Sequence, residues 1–477
     1  MQYHGLISSR VAIGDNKGAY KIFKIAISIF GIIGFMGTSI LFCYAKRIAD
    51  TYLGIPEAEM TIIALSPSIF IVSITSVLRG YFNGREKISV TANSQTIEQI
   101  LKTALTILMV EFISRISNQN TVVMVAGAAI TATIASSFSL IYLYIFYINN
   151  KKEIWKDVIT STTQPKESVG KIIRNILYIT IPIAITSLIS AANKTIDAFT
   201  VVNIMSEFME AEDAKLQYGI LTGKVEGLVV LPYSFNIAFA ITLIPAIAAS
   251  QATGEMEKAK KRIKFSILAT ILISLPCTAV LFVFAEPILK LLFPNAYLGK
   301  TMLKLCSLSI VFVAITQTIG GILQGLKRVK EPAIAAGIGA LVKLVLNLIL
   351  VPIKELNING AIISTIISHI VIFIISFYYL QKNLKIHFNI VKFVIKPLLG
   401  TVFMIISAYV FYNYFKNSMF QNSNLIFALI IGTFVYGMSI ICLKILSPEE
   451  FNMLPYGNKI LKKRSESLKK TWENKEK

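Results

Sequence analysis

The chain has 477 residues, 55% of them hydrophobic and only 15% charged, with a mean hydropathy of +0.66. That balance excludes an ordinary soluble domain and points to a polytopic membrane protein, whose spans are about 20 apolar residues long. A net charge of +21 would suggest nucleic acid in a soluble chain, but in a membrane chain it marks loops rich in Lys and Arg, so no nucleic-acid partner is expected.

The opening residues, "MQYHGLISSRVAIGDNKGAYKIFK", are polar and basic, without the apolar core and small-residue cleavage site of a secretory signal. Apolar runs long enough to span hydrocarbon follow at 25–45, 61–78, 90–112, 121–147, 172–204, 219–249, 265–285, 301–325, 332–353, 358–380, 391–415 and 424–446. They predict an all-α polytopic membrane protein with 12 helices. With the N-terminus in the cytoplasm, the basic loops "RGYFNGREK", "EMEKAKKRIK", "KRVKEP" and "QKNLKIHF" and the tail "NKILKKRSESLKK" fall inside, and the acidic "SEFMEAEDAK" falls outside. A multi-pass protein of the plasma membrane is expected, both termini cytoplasmic and the tail against anionic headgroups. Pro67, Pro182, Pro232, Pro245 and Pro276 lie within spans, where each removes a backbone hydrogen bond and can bend its helix. Cys43, Cys277, Cys306 and Cys442 sit in apolar runs without metal-ligand spacing, and no G-x-S-x-G, H-E-x-x-H or Walker lysine loop occurs. Neither enzyme chemistry, nor a cofactor, nor a metal, nor an ATP-driven pump is therefore expected.

The chain also matches itself. At a shift of 241, Gly80 lies on Gly321, Asn83 on Gln324, Gly84 on Gly325, Lys102 on Lys343 and Leu105 on Leu346. At a shift of 240, Ala12 meets Ala252, Gly14 meets Gly254, Ala19 meets Ala259, Lys21 meets Lys261 and Lys24 meets Lys264. Both copies put their basic loops on one side, which predicts two pseudo-symmetric helical lobes related as parallel repeats. The expected division is an incomplete N-terminal lobe of four helices at 1–150, a cytoplasmic linker at 151–171, and a C-terminal lobe of six helices at 172–385. A terminal helix pair with its basic tail completes the chain at 386–477. The second copy starts with two helices that have no partners after residue 1, so the full count is expected to be 14, with the chain starting inside the second of them.

Charged residues within the spans are the candidate site, because each would cost about 2.5–3.5 kcal/mol facing lipid at a helix centre. Lys102 and its repeat mate Lys343 would point into the seam between the lobes as a basic cavity. Alternatively, Glu98 neutralises Lys102 from one turn away, although Lys343 has no acidic residue within a turn. Asn193, Lys194 and Asp197 form a second cluster toward the outer end of the fifth span, where Lys194 and Asp197 could pair or snorkel. Lys224 and Glu226, two apart and so on different faces, read as interfacial. His369 reads as a helix-packing residue more readily than as a proton relay.

At "VLRGYFNGREKISVTANSQTIEQILKTAL" the sequence resembles the stage V sporulation protein B group of polysaccharide biosynthesis proteins. That group belongs to the multidrug/oligosaccharidyl-lipid/polysaccharide exporter superfamily, beside the lipid II flippases. The pattern R-G-Y-F-x-G then S-Q-x-x-E-Q, at Arg79 to Gly84 and Ser94 to Gln99, carries the resemblance, and similar loops extend it over essentially the whole chain. It implies 14 helices in two six-helix lobes plus a terminal pair that helps form a groove for a lipid tail. The implied activity is outward movement of undecaprenyl-diphosphate-linked sugars by alternating access. On that expectation Lys102, Lys343, Lys194 and Asn193 bind the diphosphate and Glu98 and Asp197 couple or pair charges. Partners would be the lipid-linked sugar, membrane lipids and, if present, cell-wall synthesis enzymes. The alternatives are a cation-coupled multidrug antiporter of the same superfamily and a non-transporting scaffold for wall-synthesis enzymes.

Overall fold

The computed structural model describes residues 4–85, 87–116, 120–161, 168–234, 236, 256–294, 296–326, 328, 330–415, 423–447 and 450. Among these residues the secondary structure is helical throughout, without a strand. Nine of the described helices are long and apolar enough to cross a membrane. Two more, Ile88–Ile116 and Val169–Met205, run for 29 and 37 residues. Together they cover eleven of the twelve expected spans; the other, at 219–249, is helical as far as it is described. Ile88–Ile116 falls short in apolarity because its first half carries Asn93, Gln95, Glu98, Gln99 and Lys102, a run that needs partners other than lipid.

Local chemistry sets the helix ends. Asp15 caps Asn16–Cys43 by accepting from the Gly18 N–H at 2.8 Å, and Arg10 holds the same carboxylate at 3.0 Å. Asn120 caps Thr121–Asn149 by accepting from the N–H groups of Val122 and Val123. Gly54 ends the preceding turn of chain with φ of 66°, a left-handed conformation open to glycine without strain.

Two prolines inside helices leave carbonyls that a normal helix would satisfy, and in each case a hydroxyl takes over. Pro67 cannot donate to the Ile63 carbonyl, which accepts instead from the Ser66 hydroxyl at 2.9 Å. Pro276 cannot donate to Leu272, whose carbonyl accepts from the Tyr436 hydroxyl at 2.9 Å. The helix at Pro276 is thus tied to the terminal helix pair. Tyr436→Phe should lower the thermal stability of the purified protein by about 1–3 kcal/mol, the cost of an unsatisfied buried acceptor. An unchanged melting temperature would show that the Leu272 carbonyl finds another donor.

The chain divides into two compact units, Met1–Leu188 and Ile189–Lys477. In the first, Asn16–Cys43 packs on Glu59–Gly84, which packs on Thr121–Asn149, which packs on Ile88–Ile116. Phe23, Val77, Leu78, Tyr81, Phe82 and Leu143 fill its core. In the second, Met256–Val283 packs on Ser309–Gly325, which packs on Ile358–Leu384, which packs on Lys330–Leu350. The order of packing is the same in both: first on second, second on fourth, fourth on third. This is the internal repeat expressed as tertiary structure. The second unit adds the terminal pair, Lys396–Tyr414 against Asn424–Cys442, which docks on Met256–Val283 and brings Phe393, Met404 and Tyr436 against Ile263, Ile267 and Leu268.

Candidate functional site

In the second unit the charges meet in a buried cluster. Lys343 lies on Lys330–Leu350 and Asp197 on Val169–Met205. The Lys343 ammonium donates to Asp197 Oδ2 at 2.6 Å, with the two side chains 3% and 8% exposed. Asn347, one turn beyond Lys343, donates to Asp197 Oδ1 at 2.9 Å and to Thr200 Oγ1 at 3.1 Å. Both carboxylate oxygens are therefore satisfied, which a buried carboxylate needs if it is to stay charged. The lysine that had no acidic neighbour in its own helix takes one from another, 146 residues away.

This cluster forms part of the wall of a cavity of about 360 Å³, whose other polar lining includes Glu226, Tyr233, Gln317 and His369. Within the second unit, one lysine thus faces two carboxylates. Tyr233 shares a hydrogen bond with Ser309 at 3.1 Å, and Asn236 donates to Gln317 at 3.3 Å. Glu226 reaches the cavity lining rather than the interface, whereas Lys224, two residues earlier, is half-buried and donates to the Ala296 carbonyl at 2.6 Å. The side chains of Asn193 and Lys194 lie outside the described residues.

In the first unit Glu98 turns away from Lys102. Its Oε2 accepts from Arg79 Nη2 at 2.6 Å and its Oε1 from the Ser136 hydroxyl at 2.8 Å. Arg79 also donates to Ser94 at 2.9 Å and to Ser139 at 2.8 Å. The guanidinium fork suits this, since one planar group can serve three acceptors at fixed angles. Three helices, Glu59–Gly84, Ile88–Ile116 and Thr121–Asn149, are joined through one arginine that is 8% exposed. Lys102 stands one turn beyond Glu98, is exposed on its unit, and makes no ion pair among the described residues.

Arg79 was visible in the sequence only as the start of a motif, and its role as the partner of Glu98 was not. Asn347 carried a readable signal, because a residue four after Lys343 shares its helix face. Asp197 and Lys343 were both candidates, but nothing in the sequence joined them to each other.

Comparison with known proteins agrees with this architecture. The family model described as lipid II flippase MurJ matches residues 19–430. Lipid II flippase MurJ of Bacillus subtilis (strain 168) is 25% identical, over 80% of this chain and 73% of its own length. Stage V sporulation protein B of the same organism is 22% identical, over 81% and 74%. The solved structure "Lipid II flippase MurJ, inward closed conformation" shares the fold, with a TM-score of 0.65 and 18% identity over 92% of this chain and 88% of that one. With the family model covering most of the helical region and the same fold recurring in a solved relative, the chain belongs to the lipid II flippase MurJ family of multi-pass membrane transporters.

Proposed function

We propose that the chain translocates undecaprenyl-diphosphate-linked oligosaccharide, a cell-wall or polysaccharide precursor, across the plasma membrane by alternating access, with both termini cytoplasmic. The observation that carries this reading is Lys102. Residue 102 is the midpoint of Ile88–Ile116, and its ammonium is exposed on the unit without a counter-charge among the described residues. Facing lipid it would cost about 2.5–3.5 kcal/mol; facing a wet path it offers a point charge to an anionic headgroup. A sugar diphosphate is such a headgroup, because its charges and hydroxyls cannot enter hydrocarbon without losing their hydration.

Lys343 supplies the second cation of this reading, but under restraint. Asp197 holds it, so the diphosphate must compete with Asp197 for the ammonium. A proton or cation taken up by Asp197 frees the lysine, which makes Asp197 the coupling residue. Glu98 serves to hold Arg79.

In proteoliposomes the protein should flip a fluorescent undecaprenyl-diphosphate-linked sugar. Lys102→Ala should slow that by about tenfold or more, the worth of one charge-assisted contact, with thermal stability unchanged. Flipping at the wild-type rate by Lys102→Ala, or transport of an organic cation such as ethidium in place of the lipid, would remove the reading.

A further inference from the structure

We propose that the unit Met1–Leu188 binds an anionic phospholipid in the groove between Asn16–Cys43, Glu59–Gly84 and Thr121–Asn149, with one acyl chain in the groove and the phosphate at Lys24. The groove encloses about 620 Å³ and shares no lining residue with the cavity beside Lys343. Its wall changes character along its length. Ile27, Ile74, Leu78 and Leu140 make an apolar part, while Tyr20, Lys24 and Tyr147 make a polar end.

The polar end is built like a headgroup site. The Lys24 ammonium sits over the Tyr20 ring, 5.1 Å from its centroid, and the hydroxyls of Tyr20 and Tyr147 are 3.0 Å apart. Trp155 also packs here, its ring centroid 5.7 Å from that of Tyr20. Tyr and Trp with a lysine beside an apolar run are the composition of a membrane–water interface. Lys17, Lys21 and Lys24 follow one another at spacings of four and three, so they share one helix face. A cationic stripe ending at an apolar groove complements a negative headgroup attached to a hydrocarbon tail.

The internal repeat explains why the groove is open. At the shift of 240, Phe23, Ile27 and Ser28 correspond to Ile263, Ile267 and Leu268. In the second unit that face is covered by the terminal helix pair, whose Phe393, Met404 and Tyr436 join the same cluster. The first unit has no counterpart of that pair among the described residues. Apolar surface that protein covers in one repeat is left for lipid in the other.

Native mass spectrometry on the delipidated full chain tests this, with palmitoyl-oleoyl phosphatidylglycerol and the matching phosphatidylcholine as probes. Phosphatidylglycerol should be retained in preference. Lys24→Gln should weaken its retention about fivefold, the worth of one lysine at a headgroup, and leave phosphatidylcholine unaffected. Ile141→Trp, which fills the mouth of the groove with a side chain that is exposed in the wild type, should weaken both. Lys46→Gln, outside the groove, should change neither. Equal losses from Lys24→Gln and Lys46→Gln would overturn the site as diffuse electrostatics. Displacement by millimolar inorganic phosphate would overturn it as a free-phosphate site, and stronger retention of undecaprenyl phosphate would overturn it as a substrate-tail site.

Discussion

Lys343→Met alone should remove most of the folded protein from the membrane fraction, while Lys343→Met combined with Asp197→Leu should restore abundance without restoring transport. The single substitution leaves the Asp197 carboxylate 8% exposed and without its cation. Removing one partner of a buried ion pair costs about 3–5 kcal/mol, because the remaining charge has lost its hydration and gained nothing. Asn347 still donates to one carboxylate oxygen, but a single neutral donor does not replace an ammonium. Replacing both partners with apolar residues of similar volume is often neutral, since the desolvation cost disappears together with the attraction. The double variant therefore separates holding the fold from handling the substrate. Abundance and melting temperature report the first and lipid flipping reports the second. If the double variant flips lipid at the wild-type rate, the pair is structural and Lys343 has no part in transport.

The helices were legible because hydropathy over about 20 residues is a local property, and the spans at 61–78, 121–147 and 358–380 fall inside Glu59–Gly84, Thr121–Asn149 and Ile358–Leu384. The repeat was legible because glycine and charged positions such as Gly80 and Gly321 or Lys102 and Lys343 match as well as apolar ones. What could not be read was the choice of partner for each charge. Glu98 had a lysine one turn away on its own helix, yet its partner is Arg79, nineteen residues earlier across a helix–helix contact. A fork that also reaches Ser94 and Ser139 outcompetes a single flexible ammonium. Tyr436 and the Leu272 carbonyl are 164 residues apart, a pairing that only the docked terminal pair creates. Glu226 read as interfacial from its spacing to Lys224, and only the packing of neighbouring helices brings it to the cavity.

Arg79→Met should cost less stability than Lys343→Met, and the difference should vanish when Lys102 is also removed. In the first unit the stranded carboxylate would be Glu98, which is 18% exposed and keeps a hydrogen bond from Ser136. Lys102 lies four residues on, where a Glu-to-Lys pair meets on one helix face. In the wild type Arg79 outcompetes it, so Lys102→Ala alone should leave the melting temperature unchanged. Without Arg79, Glu98 is free to turn to Lys102 and recover part of the lost attraction. A double-mutant cycle over Arg79→Met and Lys102→Ala should then show a coupling of about 1–2 kcal/mol, within the range for residues that share a partner. Urea or thermal unfolding of the four purified proteins measures it directly. Additive losses would mean that Lys102 cannot reach Glu98.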